Sequence, residues 1–156
     1  MIVSNTKMFH LLLKMNRTKT VLLKKMKPII ADGLVQQDNN VFLNYFYSAN
    51  PHVEREHFFN DTAYENFING FHIDDYCKRN HLENALLFAD KFIEIWNNQV
   101  GKKTLEIVIS QTEYGYHFSA HSFRKKEIFI NINDIEKFDE AVLIIRYCTI
   151  RRKRMK

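Results

Sequence analysis

Apolar positions change period once along this chain. Between Asn80 and Gly101, Leu82, Ala85, Leu86, Ala89, Phe92, Ile93 and Trp96 recur at steps of three and four, the spacing that lines one face of an α-helix. Asn80 stands where an N-cap belongs, Glu83 follows three residues later as in a capping box, and Gly101 supplies the glycine that commonly ends such a helix. Glu83, Asn84, Lys91, Glu94 and Asn98 then mark its solvent edge. The spacing of Phe59, Ala63, Tyr64, Phe67, Ile68 and Phe71 predicts an earlier helix over residues 55–69, closed near Gly70. The aromatic-rich stretch 34–51 has an ambiguous period and reads as a helix ended by Pro51.

After Gly101 the period falls from 3.6 to 2. Leu105, Ile107 and Ile109 share one side of TLEIVISQ, Tyr114, Tyr116, Phe118 and Ala120 share one side of EYGYHFSAHSF, and EIFININ and AVLIIRYCTI are rich in Ile and Val. Helices first and strands afterwards predict an α+β fold: two to three helices in the first part, packed on a three- to four-stranded, mainly antiparallel sheet formed by the second part.

Charge divides the chain differently. Residues 1–27 carry seven Lys/Arg and no acid, and residues 151–156 carry five and no acid. Taking those twelve from the 23 Lys/Arg leaves eleven against all 18 Asp/Glu, so residues 28–150 have a net charge of −7 although the whole chain is +5. The expected organisation is a single domain over 28–150 between a basic arm (1–27) and a basic tail (151–156). The arm admits three readings: a disordered segment, a contact for membrane or nucleic acid, or a stretch outside the native protein, because Met26 opens an ordinary-looking start, MKPIIADG. The longest apolar run is far short of the ~18 residues that span a bilayer, so no membrane span is expected. Cys77 and Cys148 lack metal or redox spacing and read as buried reduced thiols of a cytoplasmic protein.

His117 and His121 stand four apart, a spacing that on a helix suggests a metal site. On a strand, at about 3.3 Å per residue, their Cα atoms lie about 13 Å apart, too far for two imidazoles to reach one zinc at about 2.1 Å. They are expected on the less buried sheet face, with Ser119 between them. VEREH (53–57) lacks the second histidine of HExxH, and no GxSxG or glycine-rich phosphate loop occurs. No catalytic residue, metal ligand or cofactor is predicted, and the protein is not expected to be an enzyme. The remaining candidates are acidic: Asp74 and Asp75 before the long helix, Glu113 in a turn, and Asp134, Glu136, Asp139 and Glu140 in INDIEKFDEA. An anionic face of this kind steers basic protein partners.

FHIDDYCKRNHLENALLFADKFIEIW followed by EYGYHFSAHSFRKKEIFININDIEKFDEAVLII resembles small bacterial immunity proteins encoded beside contact-dependent inhibition and related polymorphic toxins. The similar features are the aromatic-rich helical half, the Tyr114 to Phe118 strand, the charged turn Arg124 to Glu127, and a strand after an acidic turn, over residues 38–148. The resemblance implies a non-enzymatic protein that binds a cognate, often basic, toxin domain and takes no small-molecule substrate. Two other readings stand beside it. One is a nucleic-acid-binding or regulatory protein acting through its basic ends; the other is a small enzyme with a dispersed histidine site.

Overall fold

The computed structural model describes residues 1–18 and 20–149. Lys19 and the basic tail predicted over 151–156 lie outside the described residues. The fold is α+β. A five-stranded antiparallel sheet is built from β1 (Ile2–Ser4), β4 (Phe71–His72), β5 (Leu105–Gln111), β6 (Tyr116–Ser122) and β7 (Val142–Tyr147), in the order β1-β7-β5-β6-β4. A second, two-stranded sheet pairs β2 (Leu34–Gln37) with β3 (Asn40–Leu43). The helices are α1 (Thr6–Lys14), α2 (Lys27–Ala31), α3 (Asn44–Ala49), α4 (Asp61–Ile68) and α5 (His81–Gln99).

Helix α5 follows its periodicity. Leu82, Ala85, Leu86, Ala89, Phe92 and Trp96 are buried against the sheet face that carries Leu105, Ile107, Ile109, Phe118 and Ala120. Phe118 sits at the centre of this core, with its ring 4.8 Å from that of Phe88 and 5.7 Å from that of Phe92. Gly101, at φ 67°, closes the helix with its N–H on the Trp96 carbonyl, 3.0 Å away. The N-terminus is not capped as predicted. Asn80 adopts the left-handed conformation and gives no side-chain cap, while Glu83 accepts the Thr18 N–H at 2.7 Å. Glu83 and Asn84, predicted on the solvent edge, are buried, Glu83 by the segment that leaves α1 and Asn84 with its side-chain amide donating to the carbonyls of Arg79 and Asn80.

Four other predicted elements take different forms. Residues 34–51 form a hairpin and then a short helix, because Asp38 at φ 54° supplies the left-handed turn that joins β2 to β3. The helix predicted over 55–69 begins only at Asp61, and it is rotated from its apolar stripe. Phe67 is more than half exposed, whereas Thr62, Glu65 and Asn66 are buried. EIFININ is not a strand; Ile130, Ile132, Ile135 and Phe138 instead cap the outer sheet face at Val108, Val142 and Ile144. Finally, the segment read as a basic arm contributes an edge strand and a helix. Met8, Leu22 and Met26 enter the core, and Asn5 ties the segment to β7 through its side chain, which accepts the Val142 N–H at 3.0 Å and donates to the Glu140 carbonyl at 2.7 Å.

Cys77 is half-buried and Cys148 is exposed, which corrects the expectation of two buried thiols. No helix is long and apolar enough to cross a membrane among the described residues.

Candidate functional site

Opposite α5, the outer face of the sheet is covered only in part. The connection from β6 to β7 lies over one side of it and α4 over the other, leaving an open cleft of about 680 Å³ between them. Phe58 and Phe67 form one wall, Phe129, Ile130 and Phe138 the other, and Val108 and Val142 lie between. Phe67 and Phe129 remain 57% and 46% exposed, large apolar rings left open to solvent at the mouth.

Polar groups enter through alternation on the strands. Ser110 of β5, His117 and Ser119 of β6 and Asn66 of α4 all line the cleft. His117 meets the ring of His72 edge to face, at 5.0 Å between centroids. Burial, and then the charge of His72, hold the His117 imidazole below the ordinary histidine range, with Asp74 pulling the other way. Gly70 permits this geometry, since a Cβ there would stand 2.5 Å from the Asn66 carbonyl oxygen and 3.2 Å from the His117 ring.

His121 does not join His117. It is 1% exposed, and its Nε2 faces Glu106 Oε1 at 3.3 Å while its Nδ1 lies 3.0 Å from Asn66 Oδ1. The other oxygen of Glu106 accepts two hydrogen bonds from Arg146, at 2.8 and 2.6 Å, and that guanidinium stacks 3.6 Å over the Phe123 ring. Burial alone would raise the Glu106 carboxyl. The hydrogen bonds and charges of His121 and Arg146 reverse this and hold it below the usual carboxylate range. The histidine pair of the sequence thus splits, His117 to the cleft and His121 to a buried polar chain of Asn66, His121, Glu106 and Arg146. No group of three or more His, Cys, Asp or Glu side chains is placed to hold a metal ion among the described residues.

The acidic candidates separate into two kinds. Asp134 pairs with Lys137 at 2.7 Å, and Glu136 accepts from the N–H and hydroxyl of Thr6 at the start of α1. The other five are gathered at one end of the sheet. The register aligns His72, His117, Ser110 and Val142 across four strands, and beyond that row the chain carries Asp74 and Asp75 after β4, Glu113 in the β5–β6 turn, and Asp139 and Glu140 before β7. Asp75, Glu113, Asp139 and Glu140 are exposed, Asp74 is half-buried against Gly115, and Glu140 lines the cleft. None of the five carboxylates makes an ion pair among the described residues, whereas Asp61, Glu65, Asp90, Glu94, Glu106 and Glu127 each do.

The periodicity gave no notice of Glu65, Asn66 or Asn69, polar residues that the apolar stripe of α4 hides. For Glu106 and Arg146 a signal existed, since each is the lone charge inside an apolar strand, LEIVIS and VLIIRY. Such charges are seldom buried without each other.

No curated protein and no solved structure matches the chain. The model of one family, described as the Uncharacterized protein PM0498 family, matches residues 3–152. The chain belongs to that family.

Proposed function

We propose that the protein works by binding another protein, as an immunity protein that occludes a cognate basic toxin domain, and that the docking surface is the acidic end of the sheet together with the mouth of the cleft. One observation carries this reading: five carboxylates that make no ion pair among the described residues are gathered at one end of the sheet, and one of them, Glu140, lines the cleft together with the exposed rings of Phe67 and Phe129. Unpaired rim charges speed encounter with an oppositely charged partner, and exposed Phe67 and Phe129 supply the apolar contact that such an interface needs at its centre. Asp134 and Glu136, which serve Lys137 and Thr6, are left out of the surface. The action would be steric block in the cytoplasm, with no catalysis and no cofactor.

The reading is tested by co-expressing the full chain with the toxin domain encoded beside it and passing the pair over a sizing column. Co-elution in a one-to-one complex that weakens as salt rises supports it. Separate elution at low salt overturns it. Nucleic-acid contact through the basic ends has less support, because Lys7 binds the Asp139 carbonyl and Arg17 pairs with Asp90 within the folded body.

A further inference from the structure

The cleft holds more unspent hydrogen-bonding capacity than a docking mouth requires. Asn66 is 7% exposed, and only one end of its amide has a partner, at His121 Nδ1. Rotating the amide exchanges oxygen for nitrogen but still leaves one polar end without a protein partner, so the deficit does not depend on how the two atoms are assigned. Leaving such a group buried and unbonded is costly, and native sites that do so are usually completed by something else. Ser110, Ser119 and His117 face the same space, and none makes a side-chain hydrogen bond among the described residues.

The remaining lining defines what fits. The rings of Phe58, Phe67, Phe129 and Phe138 line the cleft, a lining that suits a flat aromatic guest. The lining contains neither Lys nor Arg, its one carboxylate is Glu140, and its only groups able to carry positive charge are the imidazoles of His72 and His117, so a phosphate or carboxylate would enter without a permanent counter-charge. The volume falls inside the range of roughly 300–1,000 Å³ usual for small-molecule sites, which are mostly apolar with a few convergent polar groups.

We propose that this cleft is a binding site for a small, uncharged, planar heteroaromatic molecule that carries a hydrogen-bond donor and acceptor on its edge, stacked between the two aromatic walls and read by the Asn66 amide, His117 and the serine hydroxyls. The site belongs to the free protein and does not depend on the partner reading.

Titration of the ¹⁵N-labelled full-length protein with benzimidazole tests it, with benzoate as an anionic ring of similar size. Benzimidazole should give saturable shift changes at the backbone amides of Ser110, His117 and Ser119 and at the side-chain amide of Asn66. Benzoate should bind about tenfold more weakly or worse. The half-exposed Ala63 lines the cleft on α4, and Ala63→Phe should fill the space and abolish binding while amide shifts far from the cleft stay unchanged. Absence of saturable shifts, equal binding of benzoate, or binding that survives Ala63→Phe overturns the proposal, as does a cleft that takes up an aromatic side chain of a partner protein but not the free ring.

Discussion

Glu106 and His121 face each other directly across β5 and β6, with Nε2 and Oε1 3.3 Å apart and both side chains at most 2% exposed. Arg146 on β7 completes the row from the other side at 2.6 Å, so three neighbouring strands are tied by one buried carboxylate. Removing one partner of such a buried set leaves the others desolvated and uncompensated, at a cost of about 3 to 5 kcal/mol. Glu106→Ala should therefore lower the chemical-denaturation midpoint strongly, and Glu106→Gln, which keeps the shape and one acceptor, less so. Because the folded state lowers the Glu106 pKa, its contribution is fully present above the ordinary glutamate range and is lost as pH falls through the depressed value. Urea melts at stepped acid pH should show a flatter acid limb for Glu106→Gln than for the wild type.

His117 titrates in the opposite sense of charge but with the same direction in pH. Burial and His72 disfavour its protonated form, so the unfolded chain binds a proton more readily than the folded one. Stability is full above the ordinary histidine value near 6.5 and declines as pH falls from there toward the lowered folded value. His117→Asn should remove that decline, read as a smaller loss of melting temperature between neutral and mildly acidic buffer. Directly measured by NMR, the His117 ring should titrate below the ordinary histidine value.

Helix α4 joins the two sheets through amide and carboxylate side chains rather than through a strand ladder. Asn69 accepts the Leu43 N–H at 2.7 Å and donates to the carbonyls of Val41 and Ala120, at 2.9 and 3.0 Å, while Glu65 accepts the Val41 N–H at 2.9 Å and pairs with Arg124 at 2.8 Å. Each buried group stranded without a partner costs about 1 to 3 kcal/mol. Asn69→Ala strands three of them and should be among the most destabilising single changes on this helix. Hydrogen exchange should speed up at Leu43 and Val41 ahead of the α5 amides.

The N-terminal segment should be indispensable to folding. Deleting residues 1–25 removes Met8 and Leu22 from the core, uncovers the free edge of β7 and strips the Asn5 side chain from Val142 and Glu140. Circular dichroism of the shortened protein should show a non-cooperative or far lower melt. Asn5→Ala alone, which also removes the cap of α1, should cost about 1 to 2 kcal/mol.

Where one periodicity dominated, the sequence was readable. The stripe from Leu82 to Trp96 located α5 and its glycine stop, alternation located β5 and β6, and richness in Ile and Val located β7. It failed where tertiary needs outweighed pattern. Helix α4 turns polar residues inward because the open backbone edges of β3 and β6 need partners, and EIFININ stays irregular because its isoleucines cover a sheet face and do not pair in a ladder. The basic residues before Met26 suggested an unattached arm, but the apolar positions between them, Met8 and Leu22, were the informative ones. Of the acidic candidates, composition could not tell Glu113 from Glu136. Only strand register separates an unpaired carboxylate at the sheet end from one that serves Thr6.

The most direct test is growth of cells that express the neighbouring toxin domain together with either the wild-type protein or a variant in which Asp75, Glu113 and Glu140, all exposed, are each changed to lysine. The wild type should protect. The variant, folded to the same melting temperature, should protect far less, and the defect should deepen when Phe67→Ser is added. Full protection by the charge-reversed variant, or none by the wild type, would contradict the account.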